Sequence, residues 1–91
     1  MEIEFDSGKD AANRRKHGVP LDLGAVVLDN LVGEESDDGD HGEDRVRAFG
    51  FVGIVLYACI YYACIYTMRG TAHRMISVRR ATRAEERRWL S

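Results

Sequence analysis

Residues 56–82, LYACIYYACIYTMRGTAHRMISVRRAT, decide the fold of this 91-residue chain. They contain a perfect five-residue tandem repeat, YACIY, at 57–61 and 62–66, and then Gly70 and a segment in which apolar and basic residues alternate. The repeat is apolar, aromatic and β-branched, and alternation with a period of two is typical of a half-buried strand. The sequence therefore predicts two antiparallel strands, joined near Gly70, at the centre of a sheet.

The second of these strands is expected to alternate regularly along 73–80. Alternation places the odd-numbered side chains on one face of the sheet and the even-numbered ones on the other, so Arg79 and Arg80 face opposite ways. Only the even-numbered set has a clear apolar pair, Ile76 and Val78.

A membrane-spanning helix is the rival interpretation of the same stretch. No residue from Ala48 to Met68 is charged, and about 18 to 20 uncharged apolar residues are enough to cross a bilayer. However, tyrosines lie in the middle of the segment rather than at its ends, and removing one repeat copy would make it too short. The acidic N-terminus also lacks the pattern of a cleavable signal peptide. We therefore expect a cytoplasmic protein without a membrane segment.

Charge is divided unevenly between the two halves of the chain. Residues 1–44 hold thirteen Asp and Glu against four Lys and Arg, whereas residues 45–91 hold nine Arg against two Glu. Only the second half has the positive charge that suits the binding of a polyanion. The alternative is that the charges of the two halves neutralise each other across the folded surface. At this length we expect one small domain, 1–91, of a size at which an interface with a partner often adds stability.

The two cysteines indicate little chemistry. Cys59 and Cys64 are an odd number of residues apart, so on one strand they point to opposite faces and cannot be bridged. They form no C-x-x-C pair. We expect buried thiols in a reducing compartment.

The remaining segments predict an α+β fold in which helices pack on one face of an antiparallel sheet. There are two short N-terminal helices and a C-terminal helix, and the other face of the sheet is left open for a ligand. In chain order the predicted elements outside the central strands are a strand at 2–6, a helix from Ser7 to Gly18, a helix from Pro20 to Asn30, an edge strand at 31–35, a strand at 45–52, and a helix at 83–90 capped by Thr82.

No common catalytic motif is present, such as a glycine-rich phosphate loop or H-E-x-x-H. The acidic loop 36–44 includes Asp37-Asp38-Gly39-Asp40-His41, which has carboxylates that suit a cation, although such loops are more often only solvated. His17 is either a general base near neutral pH or a helix-end cation stabilised by the helix dipole.

Several segments in this order resemble the BrnT toxins. The two strongest are K-H-G-V at 16–19 and R-x-I-S-x-R-R-A at 74–81. The others are Phe5-Asp6 with Lys9 and Asn13, the group His41, Glu43 and Arg45, then Gly50, and Tyr66-Thr67-x-Arg69. The resemblance covers nearly the whole chain, although Phe5 stands where the family commonly has Trp. The alignment works best with one YACIY copy removed, so the second copy looks like an insertion.

The resemblance implies a RelE-like fold and a ribonuclease of a type II toxin–antitoxin module that inhibits translation and is held inactive by the antitoxin BrnA. It implies RNA cleavage without a metal or cofactor. Such cleavage needs a base, cations that stabilise the phosphorane, and a proton donor for the leaving oxygen. We assign proton transfer to His17 or Lys16, phosphate binding to Arg79 and Arg80, and further RNA contacts to Arg45, Arg69 and Arg74.

Two other expectations follow. A non-catalytic module that docks an acidic or helical partner is the alternative function. The residues near Tyr61 and Tyr62 are expected to form an overlong, partly unpaired or exchanged strand segment, and an exposed apolar edge favours a homodimer or larger assembly.

Overall fold

The structure, a computed structural model, describes residues 1–37, 42–55 and 58–90, with the backbone alone at 54–55 and 58–59. Within these ranges the elements are, in chain order, β1 (Glu2–Glu4), α1 (Ser7–His17), α2 (Leu23–Asp29), β2 (Leu31–Ser36), β3 (Val46–Val55), β4 (Ala58–Arg69), β5 (Ala72–Arg80) and α3 (Arg83–Leu90). The predicted α+β class, with two N-terminal helices and a C-terminal helix, is confirmed.

The strands form one sheet in the order β1-β5-β4-β3-β2. Neighbouring strands are antiparallel from β2 to β5, but β1 is parallel to β5, with Glu2 beside Ala72 and Glu4 beside Arg74. The sheet is mixed because β1 and β5 are separated by most of the chain, so no tight turn dictates their relative direction. As predicted, β2 is an edge strand.

A bulge in β5 interrupts the pairing with β4. Ile65 pairs with Ser77, but the next residue of β4, Tyr66, pairs with Met75. Ile76 is therefore an extra residue in β5 without a partner in the register. Bulges of this kind bend a strand and are frequent beside functional sites.

The bulge reverses the predicted alternation of β5. Met75 and Val78 are both fully buried in the same core cluster, three residues apart, instead of facing opposite ways. The prediction of a regular strand over 73–80 was wrong for this reason. Beyond the bulge, Arg79 lies on the same face as Arg74, and Arg80 lies on the opposite face, with Val78.

The main core lies between α2, the segment before it, and one face of the sheet, which we call the core face. Its buried residues are Leu21, Val27, Ala48, Cys64, Tyr66, Met75 and Val78. Gly50 allows α2 to approach β3 closely, because a Cβ at this position would lie 2.3 Å from the carbonyl oxygen of Val27. The close approach of helix and strand therefore depends on a glycine.

Helix α3 covers the opposite face, so the prediction that all helices share one face was wrong. Trp89 lies against Gly33 of β2, where a Cβ would come within 2.5 Å of the indole ring. Gly33 pairs with Phe49, which is out of phase with the core residue Ala48 and so belongs to the other face. We call this surface the α3 face.

The second repeat copy lies in the middle of the sheet. Tyr62 pairs with Gly50 on one side and Arg80 on the other. In the first copy Ala58, Cys59 and Tyr61 pair with β3, and none of residues 58–60 pairs with β5. The residues of β4 without a β5 partner thus lie at 58–60, just before the position near Tyr61 and Tyr62 where an overlong, partly unpaired segment was expected. The first copy overhangs the end of β5, and the ladder with β3 shifts register beside it.

The uncharged stretch that suggested a membrane helix supplies most of β3 and β4 instead. Over the ranges given above, every helix is too short or too polar to cross a bilayer.

Candidate functional site

A pocket of about 270 Å³ lies between α1 and the bulged part of β5, and we call it the α1–β5 pocket. It is lined by residues of one helix face and by the bulge: Lys9, Ala12, Asn13, Lys16, His17, Ile76 and Ser77. Residues 9, 13 and 16 recur at the spacing that places side chains on one side of a helix. The structure therefore brings together Lys16 and His17, the two residues assigned to proton transfer.

Asn13 fixes α1 to the free edge of β5. Its side-chain amide donates to the carbonyl oxygens of Val19 at 2.9 Å and Val78 at 2.8 Å, and its Oδ1 accepts from the N–H of Val78 at 3.1 Å. Asn13 is only 6% exposed. It thus satisfies backbone groups of β5 that would otherwise form an unpaired strand edge.

Two aspartates hold the rest of α1 in place. The side chain of Asp6 accepts the N–H of Lys9 at 2.9 Å, so Asp6 is the N-cap of α1. Asp10 accepts the N–H of Leu21 at 2.8 Å, and this hydrogen bond, followed by that of a neighbouring arginine, lowers the pKa of the Asp10 carboxyl. These bonds anchor α1 at its start and tie it to the segment before α2.

The C-terminal end of α1 concentrates positive charge. The helix ends at Gly18, as predicted, in the left-handed conformation with φ 76°, and the N–H of Gly18 donates to the carbonyl of Arg14. Lys16 and His17 lie in this last turn, where the helix dipole favours cations. In the described part of the chain no carboxylate pairs with Lys9, Lys16 or His17, so the rim of the pocket is free to bind an anion.

Arg79 lies apart from the pocket, on the α3 face. Its two terminal nitrogens donate to the two carboxylate oxygens of Glu85, at 2.7 Å and 3.0 Å. The hydrogen bonds from Arg79, followed by the one from the N–H of Thr82, lower the pKa of Glu85 to about 2 despite the burial of this residue, which is 6% exposed. Glu85 and Thr82 also form a capping box, with N–H to oxygen distances of 2.9 Å and 3.1 Å, which confirms Thr82 as the N-cap of α3.

A second ionic group on the α3 face joins β2, β3 and α3. Arg47 donates to Glu35 at 3.1 Å and to Asp37, and Arg88 donates to Glu35 at 2.8 Å. The hydrogen bond to Asp37 raises the pKa of the Arg47 guanidinium. Arg47, Arg79 and Arg88 are thus neutralised by carboxylates, which suits these three to hold α3 rather than to bind a polyanion.

The three arginines assigned to further RNA contacts gather at the β4–β5 hairpin end of the sheet. Arg69 ends β4, and Arg74 pairs with Thr67 across the β4–β5 ladder. The Thr67 hydroxyl donates to the carbonyl of Asp44, next to Arg45, at 2.7 Å. These arginines are therefore close neighbours, although they are far apart in the sequence.

The positive charges of Arg45, Arg74 and Arg80 are compensated weakly or not at all by carboxylates of the described residues. Arg74 pairs with Glu4 and Arg45 with Glu43, each at 3.4 Å and partly exposed, a geometry that contributes little to stability. Arg80, assigned to phosphate, is exposed, and none of the acidic residues in the described ranges pairs with it. Arg45, Arg74 and Arg80 can therefore each turn to a phosphate at small cost.

The comparison with known protein families covers both sides of the α1–β5 pocket. A family model described as a ribonuclease toxin, BrnT, of type II toxin–antitoxin systems matches residues 5–85, which include every residue that lines the pocket. The chain belongs to the BrnT family. The BrnT resemblance of the K-H-G-V and R-x-I-S-x-R-R-A segments is thereby confirmed, and these segments supply the end of α1 and the bulge of β5. No curated protein matches the chain.

Membership of the BrnT family makes the chain a ribonuclease toxin of a type II toxin–antitoxin system, with RNA as substrate and an antitoxin as partner. Asp38 to His41 of the acidic loop lie outside the described residues. Among the residues that are described, no three His, Cys, Asp or Glu side chains are close enough to hold a metal ion.

Sequence reasoning missed two features of this BrnT site. Lys9 and Asn13 entered only as motif residues, although their spacing with Lys16 marks one helix face. The pairing of Arg79 with Glu85 was also missed, since the T-x-x-E pattern at 82–85 indicates a helix start but not which strand the glutamate reaches.

Proposed function

We propose that this BrnT chain is an endoribonuclease that cleaves RNA at the α1–β5 pocket without a metal ion. In this proposal it inhibits translation in the cytoplasm until a BrnA-type antitoxin binds it. The observation that carries the proposal is the meeting of Lys16 and His17 with Ser77 in one pocket whose described cations have no carboxylate partner.

The chemistry requires three actions at the scissile phosphate. His17 accepts the proton of the ribose 2′-hydroxyl as its oxygen attacks phosphorus, and Lys16 stabilises the negative charge of the phosphorane. The bond to the 5′-oxygen then breaks, and this oxygen takes a proton from the protonated His17 or from Lys16. The products are a 2′,3′-cyclic phosphate and a 5′-hydroxyl, and no hydrolytic water or metal is consumed in this step.

Arginines position the substrate in this proposal. Arg80 lies three residues beyond Ser77, the last β5 residue that lines the pocket, and is therefore about 10 Å along the strand from the pocket wall. We assign phosphate binding to Arg80, and contacts with the flanking RNA to the hairpin-end group Arg45, Arg69 and Arg74. Arg79 is assigned a structural role, because both of its terminal nitrogens already donate to Glu85.

The overhanging first repeat copy supports a homodimer or larger assembly. Residues 58–60 lack a β5 partner in the register and therefore offer a strand edge to a second copy. Light scattering of the antitoxin-free protein is expected to show more than one chain per particle, and a monomer at all concentrations would contradict this assignment.

The decisive experiment is RNA cleavage by antitoxin-free protein in excess EDTA. We expect His17→Gln and Lys16→Gln each to lower turnover by about ten- to a thousandfold with unchanged circular dichroism, whereas Arg15→Gln, an exposed neighbour outside the pocket, serves as the matched control. Loss of His17 should also flatten the lower limb of the pH–rate profile. Cleavage that EDTA abolishes, or that survives both substitutions unchanged, would overturn the proposal.

The salt dependence of binding tests the phosphate contact. Arg80→Gln should reduce the slope of log K against log salt by about one, because one counterion fewer is released. The alternative function is a non-catalytic module that docks an acidic or helical partner. Absence of cleavage in every antitoxin-free preparation would support that alternative.

A further inference from the structure

We propose that the α1–β5 pocket is a nucleobase subsite that holds one base of the RNA beside the scissile phosphate, and that Ser77 is its specificity-determining residue. This inference rests on the proposed function and assigns the class of group that enters the pocket. It concerns the interior of the pocket, whereas Lys16 and His17 act at its rim.

The walls of the pocket suit a flat, mostly apolar ring better than a phosphate. Ala12 of α1 and Ile76 of the bulge are apolar, and the aliphatic stems of Lys9 and Lys16 extend the same surface. The volume of about 270 Å³ lies just below the range of drug-sized ligand sites, about 300 to 1,000 Å³, so it has room for a single ring system.

Asn13 cannot provide base recognition, although it lines the pocket. Both protons of its amide are donated to the carbonyl oxygens of Val19 and Val78, and its oxygen accepts the N–H of Val78. The amide has no donor left for a ligand. Its role is to hold the two walls together.

Ser77 is the neutral polar group that remains for reading a base. It is half-buried, and across the described ranges its hydroxyl makes no hydrogen bond. A hydroxyl both donates and accepts, so it can bond to the edge of a base. The bulge at Ile76 sets the direction of this side chain, which is a known use of such irregularities beside binding sites.

The two lysines place the base relative to the RNA backbone. Lys9 and Lys16 are seven residues apart, so their Cα atoms are separated by about 10 Å along α1. Their ammonium groups can therefore contact phosphates on either side of one nucleotide. A base held between them brings its own 3′-phosphate towards Lys16 and His17.

A binding experiment that needs no cleavage tests the subsite. The four nucleoside 5′-monophosphates, ribose 5-phosphate and inorganic phosphate are titrated into the full-length chain and followed by NMR. Ala12→Leu fills the pocket, and Ala11→Leu is the matched control, since Ala11 is an adjacent, exposed alanine of α1 outside the lining. We expect Ala12→Leu to weaken nucleotide binding at least tenfold and Ala11→Leu to leave it unchanged, with ribose 5-phosphate bound weakly by all three proteins.

A second variant keeps the proposal testable if Ala12→Leu fails to fold. In Ser77→Ala the cleavage ratio between the most and least preferred bases, measured by sequencing the ends of a randomised RNA, should fall by about two- to tenfold, the worth of one neutral hydrogen bond. Equal binding of ribose 5-phosphate and nucleotides, equal behaviour of the two leucine variants, or an unchanged ratio would overturn the subsite. If nucleotides bind as expected but no preparation cleaves RNA, the proposed function fails and the subsite stands. If cleavage depends on His17 while both leucine variants bind alike, the subsite alone fails.

Discussion

Replacement of Arg79 should destabilise the fold more than it impairs chemistry. The pKa of Glu85 falls from an ordinary 4.5 to about 2, and each pKa unit corresponds to about 1.4 kcal/mol, which gives about 3 kcal/mol. Part of this comes from the N–H of Thr82, which Arg79→Gln would leave intact. We therefore expect Arg79→Gln to lower the free energy of unfolding by about 2 kcal/mol.

The pH dependence has a definite sign. A carboxyl whose pKa is lowered by folding contributes stability that is fully present above its unfolded value, and this stability is lost as the pH falls towards the folded value. For Glu85 this window runs from about pH 5 down to about pH 2. Urea unfolding should show the parent losing stability over this range, and Arg79→Gln losing less.

The control is Arg74→Gln, which breaks a partly exposed 3.4 Å pair with Glu4 and should cost less than about 1 kcal/mol. Both variants are also assayed for RNA cleavage under conditions where each is fully folded. If Arg79→Gln keeps the parent's stability while turnover drops tenfold or more, then Arg79 acts on the substrate and its structural assignment is incorrect.

Three further predictions concern single features. Asn13→Ala, which leaves buried β5 backbone groups unpaired, should lower the free energy of unfolding by about 2 to 4 kcal/mol in urea denaturation, and a loss below 1 kcal/mol would contradict its anchoring role. Deleting residues 57–61 should preserve the fold by circular dichroism and cost about 1 kcal/mol, the worth of the ring stack made by Tyr61, whereas an unfolded product would show the overhang to be essential. Burial raises the pKa of the Cys64 thiol to about 12, so in a Cys59→Ser background it should react with a disulfide reagent at pH 8 only after unfolding; rapid labelling of the folded chain would refute this.

The order and type of the elements were predictable because local signals specify them. Gly18 ends α1, Thr82 begins α3, and the alternation after Gly70 indicates a strand. The bulge was not predictable from alternation, since a period of two assumes a regular strand. A signal for it exists in retrospect: Met75 and Val78 are the large apolar core residues of β5, and they are three apart.

The placement of the two repeat copies could not be predicted from the sequence for a different reason. Because the two copies are identical, either offers the same side chains to β3 and β5, and deletion of either gives the same sequence. Register is decided by the neighbours instead. Gly50 must face α2, where any Cβ would meet the carbonyl of Val27 at 2.3 Å, and Gly50 pairs with Tyr62, so the second copy occupies the centre.

The K-H-G-V and R-x-I-S-x-R-R-A segments are far apart in the sequence, but a single structural constraint holds them together. Strand β1 pairs with β5 only as far as Arg74, which leaves the edge of β5 at Val78 without a neighbouring strand. Asn13 bonds to that edge across 65 residues of sequence, and so places the end of α1 beside the bulge. A substitution at Asn13 would therefore move Lys16 and His17 relative to Ser77 without altering any of the three residues. Loss of activity in such a variant, with the fold retained, would therefore measure the contribution of position alone, as distinct from that of the side chains.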